Sequence, residues 1–169
     1  ISDNMELEIA NYLNNVSEGR LSSESKLEIR GMLREVTEIE SIGDSCYNLA
    51  RTVNRKRTGG NDFTEKQYEH IHQMMQLTEN ALKHMVAIVE DDAHVVDVNH
   101  SFNIENEMNN YRSQLKNQNI LDVNNKEYDY QMGVHYMDLI GECEKLGDYV
   151  VNVVEARTNV KEKKTNENR

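Results

Sequence analysis

The stretches IESIGDSCYNLA at 39–50 and CEKLGDYVVNVV at 143–154 write one pattern twice: Glu40, Asp44 and Asn48 recur as Glu144, Asp148 and Asn152. A step of four returns to nearly the same face of an α-helix, drifting by roughly 40°, so each trio makes a short ladder of oxygen ligands along one flank. Apolar residues keep helical spacing around both ladders: Leu27, Met32, Val36, Ile39, Gly43, Cys46, Ala50 and Val53 in the first, Met132, Tyr136, Ile140, Cys143, Leu146, Gly147, Val150 and Val154 in the second. Two long amphipathic helices follow, each with an acidic flank suited to a cation. Gly43 and Gly147 sit in mid-helix on these stripes at a cost of ~1 kcal/mol against Ala, so close helix packing is expected at both.

Working outward, the periodicity predicts five helices, over about 3–17, 23–56, 63–90, a fourth from beyond Asp91-Asp92 to about Lys116, and 126–160. Gly59-Gly60 stops the second, Asp62 with Glu65 reads as an Asp variant of a capping box, and NQNILDVNN at 117–125 reads as a loop. Absence of Pro and only 8 Gly remove the punctuation of β-rich folds, so the fold is all-α. EIANYL at 8–13 matches EMNNYR at 107–112, making helices one and two the counterpart of helices four and five. Helix three has no upstream counterpart. The expected organisation is a helix hairpin over 1–60, a truncated first repeat, packed on a three-helix bundle over 61–160, with a frayed polar tail at 161–169. A face of the hairpin must then be covered by the second unit, by an upstream segment or by another subunit, a homodimer included.

With 169 residues, 37% hydrophobic and 29% charged, the chain can bury one real core. Its net charge of −11 repels phosphate backbones and argues against a nucleic-acid partner. The basic run Arg51, Arg55, Lys56, Arg57 falls in the last turns of helix two, where it complements the helix dipole. Cys46 and Cys143 lie on apolar stripes and read as core residues. No apolar run reaches the ~20 residues that span a bilayer. The chain opens on Ile rather than Met and enters helix almost at once, which suggests a segment of a longer protein. No nucleophile with an oriented base and no glycine-rich phosphate loop is visible, so a non-enzyme is expected. Glu69 with His72 makes a single E-x-x-H, but a carboxylate-bridged di-iron enzyme needs a second copy and two further Glu. His70, His84, His94, His100 and His135 read as surface or boundary residues.

Together these residues resemble the PhoU family, whose halves are three-helix bundles ending in a helix with a Glu-Arg-Ile-Gly-Asp-like sequence followed by Asn. The counterparts are Glu40-Ser41-Ile42-Gly43-Asp44 with Asn48, and Glu144-Lys145-Leu146-Gly147-Asp148 with Asn152. GVHYMDLIGECEKLGDYVVNVVEA at 133–156 and ENEMNNYR at 105–112 look most like the cytosolic PhoU-like domain appended to bacterial sodium/phosphate cotransporters. The resemblance implies an antiparallel PhoU-like helical bundle with metal held by Glu40, Asp44, Glu144 and Asp148, with Asn48 and Asn152 completing the ladders. Glu105 and Glu107, with Glu6 and Glu8, are the matching acids of the partner helices. The implied cofactor is a divalent or ferric ion, whether iron, zinc, nickel or manganese. The implied setting is the cytoplasmic face of the inner membrane, beside a transporter portion of the same chain upstream, as a regulatory or interaction domain. A free-standing PhoU-like regulator of phosphate uptake signalling is the alternative.

Overall fold

A computed structural model describes residues 2–58, 62–90 and 98–167, with side chains as far as Thr158. It holds five helices, α1 (Ser2–Ser17), α2 (Ser23–Thr58), α3 (Glu65–Glu90), α4 (Val98–Asn124) and α5 (Tyr130–Glu167), and no strand among the described residues. The expected stops at Gly59-Gly60 and Asp91-Asp92 lie outside these residues.

Helix ends are set by local chemistry that the sequence shows only in part. Ser22 Oγ accepts the Ser25 amide at 3.0 Å and starts α2. The capping box of α3 is Thr64 with Gln67, not Asp62 with Glu65: the Gln67 amide donates to Thr64 Oγ1 at 3.2 Å while the Thr64 amide donates to Gln67 Oε1 at 3.0 Å. Asp62 instead accepts from the Phe63 amide, the Tyr68 hydroxyl and Lys56 Nζ. The ammonium also lies 4.7 Å from the centre of the Phe63 ring. Lys56 thus ties the end of α2 to the start of α3.

The expected loop at 117–125 is instead helical as far as Asn124. Its polar residues are satisfied within the bundle, Gln118 Nε2 donating to Asp122 Oδ1 at 2.7 Å and the Tyr128 hydroxyl to Asn119 Oδ1 at 3.0 Å. The helix ends in a Schellman motif: the Glu127 amide donates to the Asp122 carbonyl and the Lys126 amide to the Val123 carbonyl, with Lys126 in the left-handed region at φ 62°. Asp129 Oδ1 then accepts the Met132 amide at 2.8 Å and caps α5.

α5 is the hub. It packs against α2, α3 and α4, whereas α1 packs against α2 alone. Covered by three helices, α5 buries a broad apolar face on which Ile140, Cys143, Leu146, Val150, Val153 and Val154 are almost fully buried. α2 meets it through Asn152 Nδ2 donating to Glu38 Oε2 at 3.0 Å and through the pairs Arg34–Glu155 at 3.1 Å and Arg157–Glu35 at 3.9 Å.

The two motif helices differ in what covers them. The buried residues of α2 are Ile29, Ser45 and Thr52, while Met32, Ile39 and Val53 of the predicted stripe are 44%, 46% and 40% exposed. Cys143 is buried as expected but Cys46 is exposed. The physical reason is that, among the described residues, no helix takes beside α2 the place that α3 takes beside α5. Packing at the motif glycines differs too. A Cβ on Gly147 would lie 3.0 Å from Met108 Sδ and 3.2 Å from its Cε, a close approach of α4. At Gly43 a Cβ would meet only Ser2, at 3.4 Å and beyond, which is ordinary contact.

Candidate functional site

The sequence match makes Ser101 the counterpart of Ser2, yet Ser2 faces Gly43 while Met108, seven residues beyond Ser101, faces Gly147. α1 is therefore displaced along α2 by two turns relative to α4 on α5. The displacement gives each motif different company.

Beside Glu40 and Asp44 stands Asp3, where the resemblance implies Glu6 and Glu8. One carboxylate oxygen from each of Asp3, Glu40 and Asp44 lies within 4.8 Å of the others. Glu40 is half-buried and the other two are exposed. Partial burial, then repulsion from Asp44, Glu6 and Asp3, raises the Glu40 carboxyl above its usual range. Glu6 is engaged elsewhere, accepting from Thr37 Oγ1 at 2.9 Å. A signal for Asp3 existed: it precedes Glu6 by three residues and so shares its helix face.

Beside Glu144 and Asp148 stands Arg112. Its Nε lies 3.6 Å from Glu144 Oε2, an ion pair too long for a hydrogen bond. Burial pushes the Glu144 carboxyl up, Arg112 pulls it down, and Asp148 and Glu105 push it up again. Asp148 is likewise raised by burial and lowered by Arg112. The guanidinium supplies here the positive charge that the first trio lacks. Glu105 takes a hydrogen bond from Asn109 of its own helix, and Glu107 is exposed.

Of the other expected ligands, Asn152 is turned to Glu38 and helps hold α2 on α5, and Asn48 is half-buried one turn beyond Asp44. Among the described residues, Asp3, Glu40 and Asp44 are the one group of three or more His, Cys, Asp or Glu side chains close enough to share an ion. Three carboxylate oxygens within 4.8 Å of one another are near enough to close on one cation, and their hardness suits divalent or ferric ions. Glu69 and His72 are both exposed on α3 and face no second E-x-x-H. His70 Nδ1 is 2.9 Å from the Tyr136 hydroxyl, and His84 and His100 meet edge to face with centroids 4.6 Å apart. His94 lies outside the described residues.

A scan against protein families matches residues 71–156, just over half of the chain, to the PhoU domain. The chain belongs to the PhoU family. The match runs from α3 to the second motif, so the bundle of α3, α4 and α5 is the recognised PhoU core, and the α1–α2 hairpin lies outside it. Neither the curated proteins nor the solved structures contain a significant match. PhoU domains form a regulatory family connected with phosphate transport. No helix among the described residues of this PhoU domain is long and apolar enough to cross a membrane.

Proposed function

We propose that this PhoU domain is the cytosolic regulatory and interaction domain of a sodium-dependent phosphate transporter, working at the cytoplasmic face of the membrane beside the transporter portion of the same chain. The observation that carries the proposal is the pattern of Glu, then Ile or Leu with Gly-Asp, then Asn four residues on, present twice, at 40–48 and 144–152, within a PhoU fold. The likeness of 133–156 and 105–112 to the domain appended to such transporters supports the choice of partner. The domain acts by binding a cation and by contact rather than by catalysis: Asp3, Glu40 and Asp44 hold a divalent or ferric ion at the α1–α2 junction, and Asn48 is available to extend the shell. At the second motif Arg112 already compensates Glu144 and Asp148, and Glu105, Glu107 and Asn152 do not converge with them on one point, so the first motif carries the cation.

Two measurements test this. Calorimetric titration of the chelator-stripped protein with manganese, iron, zinc and nickel should show binding that Glu40→Gln with Asp44→Asn abolishes and that Glu144→Gln with Asp148→Asn leaves largely intact. Binding should also raise the melting temperature by mass action. No binding by any of the four metals overturns the cation reading. Sodium-dependent phosphate uptake by membrane vesicles carrying the full-length protein should change in the Asp44→Asn variant. The absence of sodium-dependent uptake would refute the transporter assignment and leave a free-standing regulator.

A further inference from the structure

The repeat relates contacts as well as residues. Where α2 lies against α5, Arg34 pairs with Glu155 and Glu38 accepts from Asn152, so the number rises along α2 as it falls along α5 and the two helices run antiparallel. The offset from Glu40 to Glu144 carries each α2 position to its α5 counterpart. Exchanging the two repeats therefore gives every contact a mate at the other end of the same seam. Glu38 becomes Glu142 and Asn152 becomes Asn48, while Arg34 becomes Asp138 and Glu155 becomes Arg51. Both mate pairs keep complementary chemistry: a carboxylate opposite an amide, and an acid opposite an arginine with the charges reversed. Yet among the described residues only the first end is joined. Asn48 is half-buried, Arg51 and Asp138 are exposed, and Glu142 gives its Oε1 to Lys145 Nζ of its own helix at 2.7 Å. Its Oε2 is buried with no hydrogen-bond donor.

We propose that Asn48 with Glu142, backed by Arg51 with Asp138, is a latch between the α1–α2 hairpin and the α3–α5 core, and that Lys145 holds it open. The first argument is the orphaned oxygen. A buried carboxylate oxygen without a donor is costly and rare in folded proteins, and the repeat sets an amide donor opposite this one. The second argument is the one residue in which the two ends differ. Three places beyond Glu142 stands Lys145, which draws the carboxylate along α5; three places beyond Glu38 stands Ser41, whose hydroxyl donates to the Thr37 carbonyl at 3.1 Å instead. Glu38 is therefore free to cross to Asn152, and Glu142 is not free to cross to Asn48. The third argument is balance. Lys145 is 53% exposed on its side chain, so its pair is a weak one, and an amide donating to a desolvated carboxylate competes with it. Drawing the Lys145 ammonium away closes the latch. Only the Asn48 amide nitrogen is used, and its carbonyl oxygen stays beside the first motif. Neither the cation nor phosphate transport enters this inference.

Lys145→Ser, which copies the closed end onto the open one, is the variant that tests this. A double-mutant cycle of Asn48→Ala with Glu142→Ala, read by urea unfolding, should show almost no coupling in the wild-type protein. In the Lys145→Ser background the same cycle should show a coupling of about three- to tenfold in the folding equilibrium constant. Hydrogen exchange of the α2 amides at 48–58 should slow in Lys145→Ser, and Asn48→Ala should abolish the slowing, whereas amides around Glu38 should be unaffected. No coupling in either background overturns the latch, as does exchange at 48–58 that ignores Lys145→Ser. Equal coupling in both backgrounds overturns the role of Lys145, since the latch would then be closed already.

Discussion

Replacing Gly147 by leucine should destabilise the protein, while replacing Gly43 by alanine should stabilise it, although the two glycines occupy the same place in the repeated motif. Both sit inside long helices, where removing a glycine is worth about 0.5–1 kcal/mol. What opposes that gain is different at each. Beside Gly147 the first added carbon already lies 3.0 Å from Met108 Sδ, and Met108 is fully buried. Methionine is flexible and can yield a few tenths of an ångström to alanine, so Gly147→Ala should come out near neutral. Leucine adds three further carbons with nowhere to go, an overpacking cost of roughly 1–3 kcal/mol, which leaves a net loss of about 1–2 kcal/mol. For a chain of this length that corresponds to a melting temperature lower by roughly 2–8 °C. Beside Gly43 the added carbon meets only the exposed end of α1 at ordinary distance. Gly43→Ala should keep most of the helical gain and melt about 1–4 °C higher. Thermal melts followed by circular dichroism, with urea titrations to separate stability from changes in slope, would measure both. A Gly147→Leu protein as stable as wild type, or a Gly43→Ala protein as damaged as Gly147→Leu, would refute the asymmetry of the two hairpins.

Two further outcomes follow from helix ends. Lys126→Gly should stabilise by about 0.5–1 kcal/mol in a urea titration, because the left-handed backbone at φ 62° penalises a side chain; no gain would mean the Lys side chain makes a compensating contact. Lys56→Met should destabilise at neutral pH while keeping the apolar stem. The Asp62 carboxyl is held down to about 2 by hydrogen bonds from Lys56 and Tyr68. Its folded value lies below its unfolded one, so its contribution is present above about pH 4 and is lost as pH falls towards 2. The gap between variant and wild type should therefore close over that interval, and a gap constant with pH would exclude this pair as its source.

The helices and their pairing were legible because apolar spacing and the duplicated motif are properties of the chain itself. The end of α4 was not, since Gln118 and Asn119 look like loop residues until Asp122 and Tyr128 are seen to satisfy them, and Lys126 takes a turn that glycine normally signals. The acids of the motifs could be read by repetition alone. Their company could not: Asp3 joins Glu40 and Arg112 joins Glu144 because α1 and α4 sit two turns apart in register, which is decided by how Ser2 and Met108 fit against a glycine. The stripe along α2 was visible as periodicity, but periodicity does not say whether a partner is present to bury it. The same spacing gives core in α5 and an open face in α2.

Because α1 rests on α2 alone, it is the helix whose opening disrupts least, and its amides should exchange with solvent well before those of α5. Asp3 rides on that helix, while Glu40 and Asp44 belong to α2. An ion gathering all three can bind only when α1 is closed, so its apparent affinity is the intrinsic one multiplied by the closed fraction. Occupancy and closure then drive each other. A rise in cation activity would be converted into the seating of one short helix, a mechanical response that any neighbour touching α1 could feel.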